Sequence, residues 1–285
     1  MISADEIRRV YRLDVLAYAD VGIRVSDPSM MLWLERMFTC FGDVSGKRAI
    51  DFGAASGHKA MLLARLGANV VAVDMADEAI VRMKHAREIS GIDFKIVKGG
   101  SEYLAESDEG TFDLMLCGEI IEHIPPSETE GFLASANRVL NSQGKLFIAT
   151  PNVDVYGPAE QASEYIGRTS FGHYKHYSLD ELTEVLKQAS FRICNSWYEC
   201  HPLTRWRNRI FYPLAQYDNA LYTSKRLAMI RYVLRPLSFL FHLVMEFMYP
   251  VTYYIQRRYE LRRAHISSGM TIMVDVMKID AGATK

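Results

Sequence analysis

Between residues 48 and 151, short unbroken apolar runs alternate with stretches whose apolar residues return every three or four positions. The runs are RAIDF (48–52), NVVAVDM (69–75), FKIVKG (94–99), FDLMLCG (112–118) and KLFIATP (145–151). Between them, HKAMLLARLG (58–67), ADEAIVRMKHAREIS (76–90) and SETEGFLASANRVLNSQG (127–144) carry the helical period. A strand that is apolar without alternation is buried on both faces, so the pattern predicts a parallel sheet covered by helices on either side. Ser127, with Glu130 three residues on, is the expected N-cap of the third helix, which should stop near Gly144.

Beyond Pro151 a polar loop leads to SLDELTEVLKQASF (178–191), whose leucines at 179, 182 and 186 mark one buried helix face. FRICNSWYEC (191–200) and MTIMVDVMKID (270–280) read as two further strands. With no assured crossover helix between them, they are free to pair antiparallel. Upstream, SADEIRRVYRLDVLAYAD (3–20) and DPSMMLWLERMFTCFGD (27–43) read as helices ahead of the first strand. Three parts follow: leading helices over 1–46, a core over 47–200 and 269–280, and an insertion over 201–268.

Composition refines this picture at two points. With 285 residues, 49% of them apolar and 24% charged, the chain can bury a large core. The net charge of −1 conceals an asymmetry: residues 201–265 hold 11 Lys/Arg against 3 Asp/Glu, a net of +8, leaving −9 for the rest. The first residues lack the apolar stretch of a secretory signal, so a cytoplasmic protein is expected. The four cysteines form no C-x-x-C pair, which points to free thiols rather than disulfides or zinc.

AIDFGAASG (49–57) ends the first strand in a glycine-bearing turn, the kind that offers backbone N–H groups to a nucleotide-like ligand. It lacks the G-x-G-x-x-G spacing of dinucleotide sites. Asp51 would repel a diphosphate and attract an ammonium group. Asp74, closing the second strand, can accept hydrogen bonds from both hydroxyls of a ribose. Together these suit a nucleoside that carries an amino acid.

These residues, with TFDLMLCGEIIEHI (111–124) and GKLFIATPN (144–152), resemble the class I S-adenosylmethionine-dependent methyltransferases. The resemblance spans about Lys47 to Glu199 and the last strand. It implies an α/β, Rossmann-like, seven-stranded, mainly parallel sheet with an antiparallel last strand, helices on both faces and a helical insertion before that strand. It further implies that Asp51, Gly53, Ala55 and Gly57 line the methionine portion of S-adenosyl-L-methionine. Asp74 would hold the ribose, Met75 would pack on the adenine, and Cys117-Gly118 would pass under the sulfonium. Ala55 stands where the family usually has glycine, and is tolerable provided its φ is negative. In GGSEYL (99–104), Ser101 or Glu102 stands in for the family's adenine-binding aspartate.

Glu119, Glu122 and His123 follow the fourth strand at i, i+3 and i+4, one face of a helical turn. FGHYKHYSLDEL (171–182) adds His173 and His176 ahead of a helix. The pair of motifs resembles ubiquinone-pathway catechol O-methyltransferases and small-RNA 3′-terminal 2′-O-methyltransferases. That resemblance implies a divalent metal such as Mg²⁺ on Glu119, Glu122, His123 and His173. The same E-x-x-E-H occurs widely in methyltransferases without an assigned metal; there Glu119 would only fix the turn, and His123 would orient substrate or act as base. For a hydroxyl acceptor, His123, His173 and His176 are the candidate bases in that order, with His176 the one most readily explained as a surface residue.

The insertion sets arginines around aromatic and apolar clusters. Pro236–Ile255 has about the ~20-residue length of a bilayer span. His242, Glu246 and Pro250 interrupt it, and a central carboxylate costs about 2.5–3.5 kcal/mol. Surface helices fit better, with Trp206, Phe211, Phe239, Phe241 and Tyr253 entering an anionic interface. A soluble lid, a dimer interface and an RNA-binding face are the other readings. Tyr11, Tyr18 and Trp33 in the leading helices are possible substrate contacts or core residues. The sequence thus leads to a methyltransferase acting on oxygen of an apolar, lipid-linked or membrane-associated small molecule, peripheral at the inner face of a membrane. RNA 2′-O-methylation and a non-catalytic cofactor-binding scaffold are the alternatives.

Overall fold

The computed structural model describes residues 28–159, 172–204, 206 and 251–279. The seven apolar runs form one sheet, ordered β3-β2-β1-β4-β5-β7-β6. Its strands are β1 (Arg48–Phe52), β2 (Asn69–Asp74), β3 (Lys95–Lys98), β4 (Phe112–Gly118), β5 (Leu140–Pro151), β6 (Phe191–Glu199) and β7 (Thr271–Lys278). β1 to β5 run parallel, and β7 lies antiparallel between β5 and β6. The expected α/β class and the antiparallel pairing of the last two strands are both found.

Helices α1 (Pro28–Phe41), α2 (His58–Arg65) and α3 (Asp77–Ser90) cover one face, burying Met31, Leu34, Met61, Leu63 and Met83. On the other face lie α4 (Ser101–Glu106), α5 (Pro126–Val139) and α7 (Leu179–Gln188), with Leu104, Phe132, Leu133, Leu182 and Leu186. A short helix, α6 (Val153–Tyr156), precedes α7. The strands between must be apolar on both sides: Leu114 and Leu116 of β4 enter the first cluster, Met115 and Cys117 the second. Ser178 and Glu181 cap α7 reciprocally, Ser178 Oγ accepting from Glu181 N at 3.2 Å and Ser178 N donating to Glu181 Oε2 at 3.0 Å.

Two element ends differ from expectation. α5 starts two residues earlier, with Pro125 rather than Ser127 as N-cap and Pro126 at N1, because proline's fixed φ suits the first helical position. It stops at Val139 rather than Gly144: Leu140 already pairs with Phe112, and a register shift between Phe112 and Leu114 admits the polar Asn141–Gln143 into β5. The leading segment 3–20, with Tyr11 and Tyr18, lies outside the described residues, as do Phe211, Phe239, Phe241, His242, Glu246 and Pro250 of the insertion.

The described end of the insertion, helical over 251–263, is fastened at its base. His201 Nδ1 lies 2.6 Å from Glu260 Oε2 and its Nε2 3.1 Å from the carbonyl of Ile266, so both nitrogens face acceptors and the ring is held as imidazolium. Burial alone would lower the His201 pKa, but the Glu260 carboxylate outweighs it and raises the value. Arg257 pairs with Glu35 at 2.9 Å and Arg36 with Glu199 at 2.8 Å, tying the insertion and the end of β6 to α1. Among the described residues, no helix is long and apolar enough to cross a membrane.

Candidate active site

β1 and β4 are neighbours whose connections leave in opposite directions, which opens a crevice at the carboxyl edge of the sheet. Asp51, on β1, points into this crevice fully buried, and its Oδ2 has no hydrogen-bond partner in the protein. Burial raises its pKa to about 6; Lys59 and a backbone hydrogen bond at Ala60 oppose the rise and Asp74 adds to it. A buried carboxylate with an unused oxygen is a seat for a ligand cation.

The turn after β1 is built for close approach. Gly53 and Ala54 donate to the Val73 carbonyl at 2.8 and 3.0 Å. Gly53 has φ 74°, and a Cβ there would overlap Ile120. Gly57, at φ 78°, is the N-cap of α2. Ala55 overturns the condition set from sequence: its φ is +50°, left-handed rather than negative. What holds it there is Asp74, whose Oδ2 accepts from Ala55 N at 2.8 Å and whose Oδ1 accepts from Ala76 N at 2.9 Å. Each carboxylate oxygen keeps a second lone pair for a ribose hydroxyl.

Met75, 74% exposed, stands beside Asp74 as an open apolar surface. Gly99 N donates to the Asp74 carbonyl at 3.0 Å, which brings Ser101 and Glu102, opening α4, toward the same edge. Glu102 Oε1 accepts from Gly100 N at 2.7 Å, and such backbone bonds hold its pKa below the usual range. The Cys117 thiol is buried among the second cluster, so the main chain of Cys117 is the part that can border the crevice.

Gly118 ends β4 under an unforeseen pair. Lys59 Nζ sits 4.4 Å from the Trp33 ring centroid. A Cβ on Gly118 would lie 2.8 Å from Trp33 Cζ2 and 3.2 Å from Lys59 Nζ. Trp33 also packs edge-on to Phe147 at 5.1 Å, so it is both a core residue and a wall of the crevice. Sequence periodicity placed Lys59 in a helix but said nothing of its reach toward Asp51 and Glu119.

Glu119 follows at φ 60°, and only Ile121–His123 form a 3₁₀ turn, so the three acidic and histidine side chains do not share the helical face expected. Glu119 is exposed to solvent, yet the protein around its carboxylate raises its pKa, against the opposing charge of Lys59. Glu122 is fully buried; its Oε2 accepts from Thr150 Oγ1 at 3.0 Å while Oε1 has no partner in the protein. Burial, then the Glu119 charge, push its pKa to about 9. The two carboxylates therefore retain a proton between them unless a cation takes its place.

The loop after residue 172 closes over this turn, Tyr174 N donating to the Glu122 carbonyl at 2.7 Å. Ligand atoms of Glu122, His123 and His173 lie within 4.8 Å of one another; Glu119 is outside that group. His176, read as the most surface-like histidine, is buried instead. Its Nδ1 meets the Gly157 carbonyl at 2.8 Å, so that nitrogen carries the proton and Nε2 accepts. His173 Nδ1, 2.8 Å from His176 Nε2, must then be the donor, which leaves the lone pair on His173 Nε2. Burial, then His123 and His176, lower the His173 pKa to about 4, keeping the ring neutral. Two histidine nitrogens beside a buried carboxylate oxygen fit a divalent cation, and fit proton abstraction equally.

The crevice, with its acid on β1, ribose-ready acid on β2 and acidic-histidine cluster after β4, defines an enzyme of the nucleoside-cofactor class. Residues 27–195 match the family model described as a methyltransferase domain, and the chain belongs to that family. It is an S-adenosylmethionine-dependent methyltransferase. A ubiquinone biosynthesis O-methyltransferase of Xanthomonas oryzae pv. oryzae is 33% identical over 178 residues, covering 59% of this chain and 71% of that protein. Two solved structures share the fold. A SAM-dependent methyltransferase from Archaeoglobus fulgidus has TM-score 0.54 and 18% identity, covering 87% of this chain and 91% of its own. The magnesium protoporphyrin IX methyltransferase of Synechocystis, with bound SAH, has TM-score 0.51 and 14% identity, covering 90% and 85%.

Proposed function

We propose that this protein methylates a hydroxyl oxygen of an apolar, lipid-linked or membrane-associated small molecule. The observation that carries the reading is the histidine chain from the Gly157 carbonyl through His176 to His173, which fixes an unprotonated lone pair beside Glu122 and His123. The cofactor's methionine portion lies along Asp51, Gly53, Ala55 and Gly57, with the sulfonium above Gly118; Asp74 takes the ribose, and Met75, Ser101 and Glu102 border the adenine.

The acceptor oxygen attacks the methyl carbon in line with the carbon–sulfur bond. That bond breaks with its electrons going to sulfur, leaving neutral S-adenosylhomocysteine, and the hydroxyl proton passes to His123 or His173. Glu119 and Glu122 hold the positive charge that accumulates on these rings. Glu122, His123 and His173, with Glu119 beside them, also fit a divalent cation such as Mg²⁺, which would polarise the acceptor hydroxyl. Activity unchanged by EDTA would count against that cation.

The apolar class of acceptor is supported by the relatives named as ubiquinone biosynthesis O-methyltransferases and by the surface of the insertion. On its 251–263 helix Val251, Tyr254, Ile255 and Leu261 are exposed, and Tyr254 and Ile255 with Arg258 and Arg262 line an open groove of about 460 Å³. Trp206 is exposed as well, whereas Tyr253 is partly buried and hydrogen-bonds Glu35. Basic residues flanking apolar ones suit an anionic membrane surface. The test is labelled-methyl transfer into a cell extract, separated into lipid, RNA and protein. Label in the solvent-extractable fraction is expected; label in RNA would favour 2′-O-methylation instead, and none anywhere would favour a scaffold.

A further inference from the structure

Among the described residues, Lys59 brings a cation to the acidic crevice. It extends from the first turn of α2 to Gly118, with its ammonium over the Trp33 ring at 4.4 Å. The carboxylates of Asp51 and Glu119 both feel its charge. In the placement of the cofactor given above, on which this inference rests, that point is where the sulfonium must come. A cation-lined aromatic face beside two carboxylates is chemically a cation seat, and here the protein fills it with a side chain of its own.

We propose that Lys59 is a specificity-determining residue that sets the balance between the sulfonium cofactor and its neutral product. In the ligand-free protein its ammonium occupies the cation seat against Trp33 and must yield when the cofactor enters. It then remains a like charge near the sulfonium. Methyl transfer removes the positive charge from sulfur, so a neighbouring cation opposes the bound cofactor more than the transition state, where that charge is already dispersing. Such an interaction weakens cofactor binding and favours the chemical step. Gly118 is the residue without a Cβ that lets the ammonium approach.

Two alternatives make different demands. As an anchor for the cofactor carboxylate, Lys59 would help S-adenosylmethionine and S-adenosylhomocysteine equally, since both carry that group. As a packing residue, it would affect folding and leave the ratio of the two affinities alone.

Isothermal titration of both ligands at pH 8 against the full chain, Lys59→Met and Lys59→Arg separates them. Lys59→Met keeps the length and apolar stem of the side chain, and Lys59→Gln is the second neutral variant should the first fail to fold. The neutral variant is expected to bind S-adenosylmethionine more tightly, improving its affinity relative to S-adenosylhomocysteine by about tenfold, while kcat falls by a similar factor. Lys59→Arg should keep the unaltered protein's ratio. Equal weakening of both ligands, or an unchanged ratio in the neutral variants, would overturn the proposal. Binding of neither ligand by the unaltered protein would overturn the cofactor placement itself, and this inference with it.

Discussion

Glu122→Gln isolates the energetics of the buried acid. Glu122 is fully buried and its pKa is raised to about 9, first by burial and then by Glu119. Between the ordinary carboxyl value near 4.5 and 9, the folded protein therefore holds a proton that the unfolded chain has released. Stability from this group is fully present below the unfolded pKa and is lost as pH rises toward the folded one. One such proton is a loss of about 1.4 kcal/mol per pH unit at most, and about 1 is reasonable for a carboxylate that shares its proton with a neighbour. Glutamine cannot ionise, yet its carbonyl still accepts from Thr150 and its amide still faces Glu119. Urea unfolding of both proteins at pH 5, 6, 7 and 8 in the presence of chelator measures the effect. The variant should gain on the unaltered protein by about 1 kcal/mol per pH unit across this range. Parallel pH profiles would refute the reasoning, for they would mean that Glu122 ionises as readily folded as unfolded.

Two further substitutions probe the cofactor turn. Ala55→Gly removes a left-handed alanine, a strain of about 1–2 kcal/mol, against the greater entropy of an unfolded glycine, about 0.5–1 kcal/mol. A net gain of about 0.5–1 kcal/mol, seen as a rise of a few degrees or less in Tm, is expected by scanning calorimetry, and a fall in Tm would contradict the assignment of φ. Asp74→Ala leaves the Ala55 and Ala76 amides without their acceptor and the ribose without a partner. S-adenosylhomocysteine affinity should drop at least about tenfold by titration, with a loss of about 2 kcal/mol in stability; unaltered affinity would place the ribose elsewhere.

Why the sequence conveyed some of this and not the rest follows from the physics of each element. β1 and β4 were legible to the residue, because burial on both faces leaves an unbroken apolar run with polar ends. The antiparallel pairing of β6 and β7 was legible because the sequence between the two strands carries no assured crossover-helix pattern. The start of β5 was not, since Asn141 and Gln143 look like a loop and join the sheet only through pairing with β4 across a register shift. α4, six residues long, is shorter than two helical turns and shows no period. In the site, Asp51 and Asp74 could be named because each closes a strand at the ligand-binding edge, and Glu122, His123 and His173 because their motifs resemble those of known methyltransferases. The histidine tautomers could not, because they depend on the Gly157 carbonyl reaching His176 from 19 residues away. Lys59 was passed over for a similar reason: nothing in a helical period tells whether a half-buried lysine turns to solvent or into the crevice.

The central claim is that this crevice moves a methyl group onto an acceptor oxygen whose proton is taken by the cluster of Glu122, His123 and His173. It is tested most directly by single-turnover transfer from labelled S-adenosylmethionine to a solvent-extracted lipid acceptor fraction, comparing the unaltered protein with His123→Ala. The account expects a labelled, base-stable methyl ether from the first, and from the variant a rate lower by about 10²–10⁴ with S-adenosylhomocysteine binding intact. Equal rates in the two proteins, or label appearing only as an ester or an amine, would contradict it.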